Sequence, residues 1–338
     1  MSRNSAKEHT PMRTKIAMLA AGALVLALAA CGNGSGENSD GSDFPAGKQV
    51  TIVVPYSAGG ASDLTARAYA QELEKELDTS VVVTNVTGSS GAIGLEQVRS
   101  SKADGYTIAY MPVESAMLKA LGFTDLSTDD FTFLGRVMTI PAAVTVRADS
   151  PWDSYEDFAD YAREHPGEIQ VGNSGTGSIW HVAAASIEQE EDVEFTHVPF
   201  DGAAPAVAAL VGGNIQAVTV SPSEVQSSVE SGELKVLTVL GDERSSILPD
   251  VPTASELGVD LTVQGWGGFA VPKDTPDEVV AVLQDASGSA MNSDSVVDFL
   301  AERGYEHAYL SGPDMDAAAA EDLARFSELI PRLGIVNS

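Results

Sequence analysis

Cysteine is nearly absent from this chain, with one residue, Cys31, among 338. A lone thiol excludes a disulfide framework and any cysteine-based zinc site. Histidine is scarce too, with five scattered residues that form no zinc-ligand cluster. Cations are few: 19 Lys and Arg stand against 49 Asp and Glu, a formal charge of −30. Acidity on that scale excludes nucleic acid and anionic lipid surfaces as partners, because both repel a negative face. The nucleotide signatures are missing as well. There is no Gly-Lys-Ser/Thr phosphate loop, and Trp180 stands where a dinucleotide fingerprint starting at Gly175 needs glycine. No Gly-x-Ser-x-Gly elbow presents a nucleophile. We therefore expect no cofactor, no bound metal and no catalytic residue.

What is present is a chain that is 43% hydrophobic and 20% charged, enough for packed cores in about two domains. Arg3, Lys7, Arg13 and Lys15 precede an apolar run over residues 16–30 that ends Leu28-Ala29-Ala30 before Cys31. A basic leader, a short apolar stretch and a small-residue end describe a secretory signal rather than a membrane span. With Cys31 closing it, the segment resembles a bacterial lipobox. That implies cleavage before Cys31, lipidation of its sulfur, and an exported chain anchored to the outer face of the cell membrane. Loss of residues 1–30 removes four basic residues and one acidic one, taking the charge from −30 to about −33. Residues 31–47 are dominated by Gly, Ser, Asn and Asp and read as a flexible tether.

Beyond the tether the pattern is α/β. Short β-branched runs at 50–55, 81–83 and 106–110 alternate with helical periodicity after Ser62 or Asp63, either of which can cap, and near 95–101. Further strands fall at 144–146, 170–172, 215–220 and 234–240, with helices at 155–165 and 202–210. A return crossing is expected near 266–271, then helices at 279–283, 296–300 and 315–333. Alternation of this kind predicts parallel sheets flanked by helices, with ligands beyond the carboxyl ends of the strands. The domains expected are 48–145 plus 270–338 as the first and 146–269 as the second.

Several segments occur in a telling order: Val53-Val54-Pro55-Tyr56-Ser57-Ala58-Gly59-Gly60-Ala61-Ser62-Asp63, then Ala103-Asp104-Gly105-Tyr106-Thr107. Gly172-Asn173-Ser174-Gly175-Thr176-Gly177-Ser178 with His181 follows, then His197-Val198-Pro199-Phe200-Asp201-Gly202-Ala203-Ala204-Pro205, Leu248-Pro249-Asp250-Val251-Pro252 and Trp266-Gly267-Gly268-Phe269. From about Val50 onward the chain resembles the substrate-binding receptors of tripartite tricarboxylate transporters (TctC-type, Bug receptors). The resemblance implies a two-domain fold like the type 2 periplasmic binding proteins, with an interdomain ligand cleft and a hinge of two crossings. It further implies a non-catalytic monomer that delivers a small carboxylate to a membrane permease.

The candidate ligand residues lie on glycine-rich loops that each lead into a helix. They are Tyr56, Ser57, Ala58, Gly59, Gly60, Ser62 and Asp63 on the first loop, and Asn173, Ser174, Thr176 and Ser178 with His181 on the second. Asp201 and Gly202 form the third, and Ser221 and Trp266 complete the set. Helix N-termini offer free N–H donors and a partial positive charge to a carboxylate, and hydroxyls add donors, so no basic side chain is required. Each loop also has a structural reading, as a capped turn that never meets ligand; His181 and Trp266 fit a packed core equally well, and His197 fits a structural role better. Asp201 departs from the family, which often has lysine there. It serves either as an N-cap or as an acceptor for an amino or hydroxyl group, which admits amino and hydroxy acids beside di- and tricarboxylates. Two other functions share these residues: a receptor that signals to a membrane sensor, and an exported hydrolase using His181 with Ser174 or Ser178.

Overall fold

The computed structural model describes residues 44–335. Cys31, its leader and most of the tether lie outside the described residues. No helix among the described residues is long and apolar enough to cross a membrane.

Two sheets organise the chain. The first contains β1 (Val50–Val54), β2 (Val81–Asn85), β3 (Thr107–Pro112), β4 (Phe131–Pro141), β10 (Gln264–Pro272) and β11 (Glu306–Ser311), in the order β11-β4-β10-β3-β1-β2. The second contains β5 (Ala143–Arg147), β6 (Gln170–Asn173), β7 (Thr196–Pro199), β8 (Ala217–Val220) and β9 (Leu234–Val239), in the order β7-β6-β8-β5-β9. The first sheet is flanked by helices α1 (Ala61–Leu77), α2 (Ala92–Arg99), α7 (Asp277–Met291), α8 (Asp294–Glu302) and α9 (Gly312–Arg332). The second carries α3 (Tyr155–Glu164), α4 (Ile179–Glu191), α5 (Ala203–Val211) and α6 (Pro222–Glu230).

The expected parallel pairing holds where strands alternate with helices, β1 with β2 and β3, and β6 with β7 and β8. Elsewhere the sheets are antiparallel. β10 runs against both β3 and β4, β11 against β4, and β5 against β8 and β9. The cause is the chain's route. β4 passes into β5 through the single residue Ala142, and β10 carries the chain back in the opposite sense. The two passages are stitched together: Ala142 N–H donates to Val263 O (2.9 Å), and Leu240 N–H donates to Ala142 O (2.7 Å).

β4 has no counterpart among the strands expected from the sequence. It is buried on both faces, so polar and apolar residues do not alternate along it. Gly135 and Arg136 also sit at an irregular register against β10. β10 separates two cores. Phe269 stacks on Tyr69 of α1 at 3.8 Å between ring centroids and meets Tyr110 edge-on at 5.4 Å. Its neighbour Ala270 faces the other core, as residues adjacent in a strand must. Tyr69 Oη lies 2.6 Å from Ser287 Oγ, which ties α1 to α7 and satisfies both buried hydroxyls.

Two caps differ from expectation. The N-cap of α1 is Gly60, which leaves Ser62 and Asp63 inside the first turn. The N-cap of α5 is Gly202 at φ +102°, a value that favours glycine over Asp201.

Candidate functional site

A cavity of about 590 Å³ lies between the strand ends of the two sheets. Four helices begin at its wall. Gly60 to Ser62 open α1, Ser178 to Trp180 open α4, Gly202 and Ala203 open α5, and Ser221 and Ser223 open α6. Each brings the positive end of a helix dipole to the same space, and α1, α4 and α5 add unpaired N–H groups; at α6, Pro222 has no N–H, and those of Ser221 and Glu224 are held in a capping box. Among the described residues, no Lys, Arg or His lines that space.

The first loop is held from behind. Asp63 is buried, and its carboxylate accepts from Gly59 N–H (2.8 Å), Arg67 Nε (3.0 Å) and Asn85 Nδ2 (2.9 Å). Asn85 Nδ2 also donates to Tyr56 O at 2.9 Å. Burial alone would raise the Asp63 pKa, but the donors from Arg67, Gly59 and Asn85 outweigh it and hold the carboxyl at about 2. Asp63 thus shapes the loop. Tyr56, Gly60 and Ser62 line the cavity, whereas Ser57, Ala58 and Gly59 lie exposed outside it.

The second loop spends most of its amides on itself. Gly175 N–H donates to Asn173 Oδ1 (3.0 Å), Ser178 N–H to Gly175 O (3.1 Å) and Gly177 N–H to His181 Nδ1 (3.1 Å). Ser178 Oγ accepts from His181 N–H at 3.2 Å, capping α4. Ile179 N–H faces the Glu114 carboxyl, which leaves Ser174, Thr176 and Trp180 as the amides open to the cavity. Ser174, Thr176 and Ser178 line the cavity; Asn173 and His181 are buried behind them. The His181 ring stands 4.8 Å from that of His197 between centroids, and His197 Nε2 lies 2.9 Å from Glu188 Oε2. Burial first, and His197 second, lower the His181 pKa to about 4. The ring is therefore neutral, with its proton on Nε2 and Nδ1 free to accept from Gly177.

The structure brings Gly202, Ser221 and Trp266 to the wall but not Asp201, which is exposed beside it. Trp266 offers its ring only, because Nε1–H donates to Asp322 Oδ2 of α9 at 2.7 Å. Gly267 beside it makes room for Tyr110, since a Cβ there would stand 2.1 Å from the Tyr110 hydroxyl. Sequence reasoning missed Tyr110, Glu114, Trp180, Glu224 and Tyr305, all of which line the cavity. Glu114 follows directly on the carboxyl end of β3, the position at which open α/β sheets bind ligands, and that rule was the available signal.

A cleft walled by helix ends and backbone donors is suited to holding an anionic ligand. The solved structures agree. A TctC solute-binding protein from Polaromonas is 38% identical, with TM-score 0.76 and coverage of 86% of this chain and 99% of that one. Rpa4515 of R. palustris, solved with adipate, is 30% identical with TM-score 0.75, over 87% of this chain and 99% of that one. Among curated proteins, the UPF0065 protein in the gbd 5'region of Cupriavidus necator is 28% identical over 86% of this chain and 89% of its own length. The family model for the tripartite tricarboxylate transporter family receptor, TctC, matches residues 65–335. The chain belongs to this family of solute-binding receptors, whose periplasmic members imply export.

Proposed function

We propose that this chain is the extracytoplasmic receptor of a tripartite tricarboxylate-type transporter, and that it holds a small carboxylate against the helix N-termini of its cleft. The observation that carries this reading is the convergence of α1, α4, α5 and α6 on a cavity without a cationic side chain. Amide donors act at contact range, while charges on the acidic surface are screened over about 8–10 Å at physiological salt. The adipate held by the R. palustris relative supports the ligand class. In this reading the two sheets carry two lobes that close on the solute about the passages at Ala142 and Val263, and the loaded monomer docks on a membrane permease. Cys31 bears the lipid that keeps the receptor at the outer face of the membrane.

Trp180 and Trp266 both line the cavity, so intrinsic fluorescence reports its occupancy. The test titrates ligand-stripped protein with mono-, di- and tricarboxylates and with amino and hydroxy acids, and follows thermal unfolding in parallel. A true ligand at a hundredfold excess over Kd stabilises by about 2.7 kcal/mol. Silence of both signals across the whole series would remove the proposal.

A further inference from the structure

The cleft is not uniformly suited to an anion. Apart from its helix ends it contains two carboxyl groups, Glu114 just beyond β3 and Glu224 in the first turn of α6, and no side-chain cation to neutralise either. Glu224 uses one oxygen: Oε2 accepts from both Ser221 N–H and Ser221 Oγ, each at 2.8 Å, and Oε1 has no protein partner among the described residues. Glu114 faces the Tyr56 hydroxyl and the Ile179 N–H. It thereby occupies the mouth of α4 that a ligand carboxylate would otherwise use. The rings of Tyr56, Tyr110, Trp180, Trp266 and Tyr305 line the same space. Carboxylates among aromatic rings repel anions and attract organic cations, the first by charge and the second by the negative ring faces.

We propose that the solute carries an ammonium group as well as its carboxylate, with the carboxylate at the N-termini of α1 and α5 and the ammonium on the wall of Glu114, Glu224 and the tyrosines. This rests on the receptor function proposed above and specifies its substrate class: an amino-substituted or betaine-like carboxylate instead of a plain di- or tricarboxylate. Burial raises the pKa of both glutamates, less firmly at Glu224, which is exposed. A cationic ligand reverses that push and ionises them.

Matched ligands separate the possibilities, for example 5-aminopentanoate, glutarate and pentanoate, which share a five-carbon chain and differ only in the terminal group. The panel adds α- and β-amino acids and glycine betaine, each with its counterpart lacking nitrogen. Affinities are measured calorimetrically for the full-length receptor and for Glu114→Gln and Glu224→Gln. The ammonium member of at least one set should bind tenfold or more tighter than its counterparts, and each substitution should cut that margin severalfold while improving binding of the plain acid. If plain acids bind as tightly as the ammonium members, or the margin survives in both variants, the ammonium site is refuted and carboxylate capture stands. If no acid binds with or without nitrogen, both fall.

Discussion

His181 sits behind the glycine loop as a neutral acceptor, and that placement fixes how the fold responds to acid. Its pKa is about 4 in the folded chain against about 6.5 when unfolded. The folded value is the depressed one, so the unfolded chain binds the extra proton as pH falls from 6.5 towards 4. The stability tied to a neutral His181 is complete above pH 6.5 and is lost across that window. The full loss is about 3 kcal/mol, of which about 2 kcal/mol falls between pH 7 and pH 4.5. Half-buried carboxyls such as Glu306 and Asp316 have raised values and act in the opposite sense, so the wild-type curve alone is not diagnostic. The His181→Gln variant retains an acceptor for Gly177 N–H and cannot titrate. Urea unfolding of both proteins at pH 7 and pH 4.5 isolates the effect as a difference of differences. The variant should lose less stability on acidification by about 2 kcal/mol. Parallel pH profiles would refute the buried, neutral histidine.

Asp63→Ala should free Gly59 N–H and Arg67 and cost about 2 kcal/mol by denaturant titration, together with weaker ligand binding as the first loop relaxes. In the parent protein that contribution is complete above pH 3.9 or so and declines as pH falls to about 2, since the folded pKa is the lower one. Gly267→Ala drives a methyl into the Tyr110 hydroxyl, and a melting curve should show a loss of about 1–3 kcal/mol. Cys31→Ser, made in the full-length precursor, should move the receptor from the membrane fraction to the soluble fraction; retention on the membrane would disprove lipid attachment there.

Much of this fold could be read from periodicity, and the exceptions have physical causes. β1, β3 and β6 announce themselves as short buried runs, β1 and β6 leading into glycine-rich loops, because strands buried on both faces tolerate little else. β4 is buried similarly, yet its Gly135-Arg136 interruption erased the signal. At the cleft, loop chemistry located Gly60, Ser62, Thr176, Ser178 and Gly202 on the wall. It could not separate donors that face solute from those turned inward, as Gly175 and Gly177 are, since one φ angle decides which way an amide points. Asp201 drew attention as an acid beside a glycine loop, whereas the acids at the wall are Glu114 and Glu224. Their chain distance from the glycine motifs hid them; only the fold brings them there.

The grip proposed for the carboxylate, the helix ends of α1 and α5, would belong to the main chain, where side-chain replacements leave the amides in place. The two carboxyls and the aromatic rings of the cleft are side chains. On that proposal, substitutions at Glu114, Tyr110, Glu224 or Tyr305 would alter which solute is preferred and leave the means of holding a carboxylate in place. Selectivity is free to drift in this architecture while capture is inherited with the backbone, so one scaffold can be refitted to many nutrients without passing through a form that binds none.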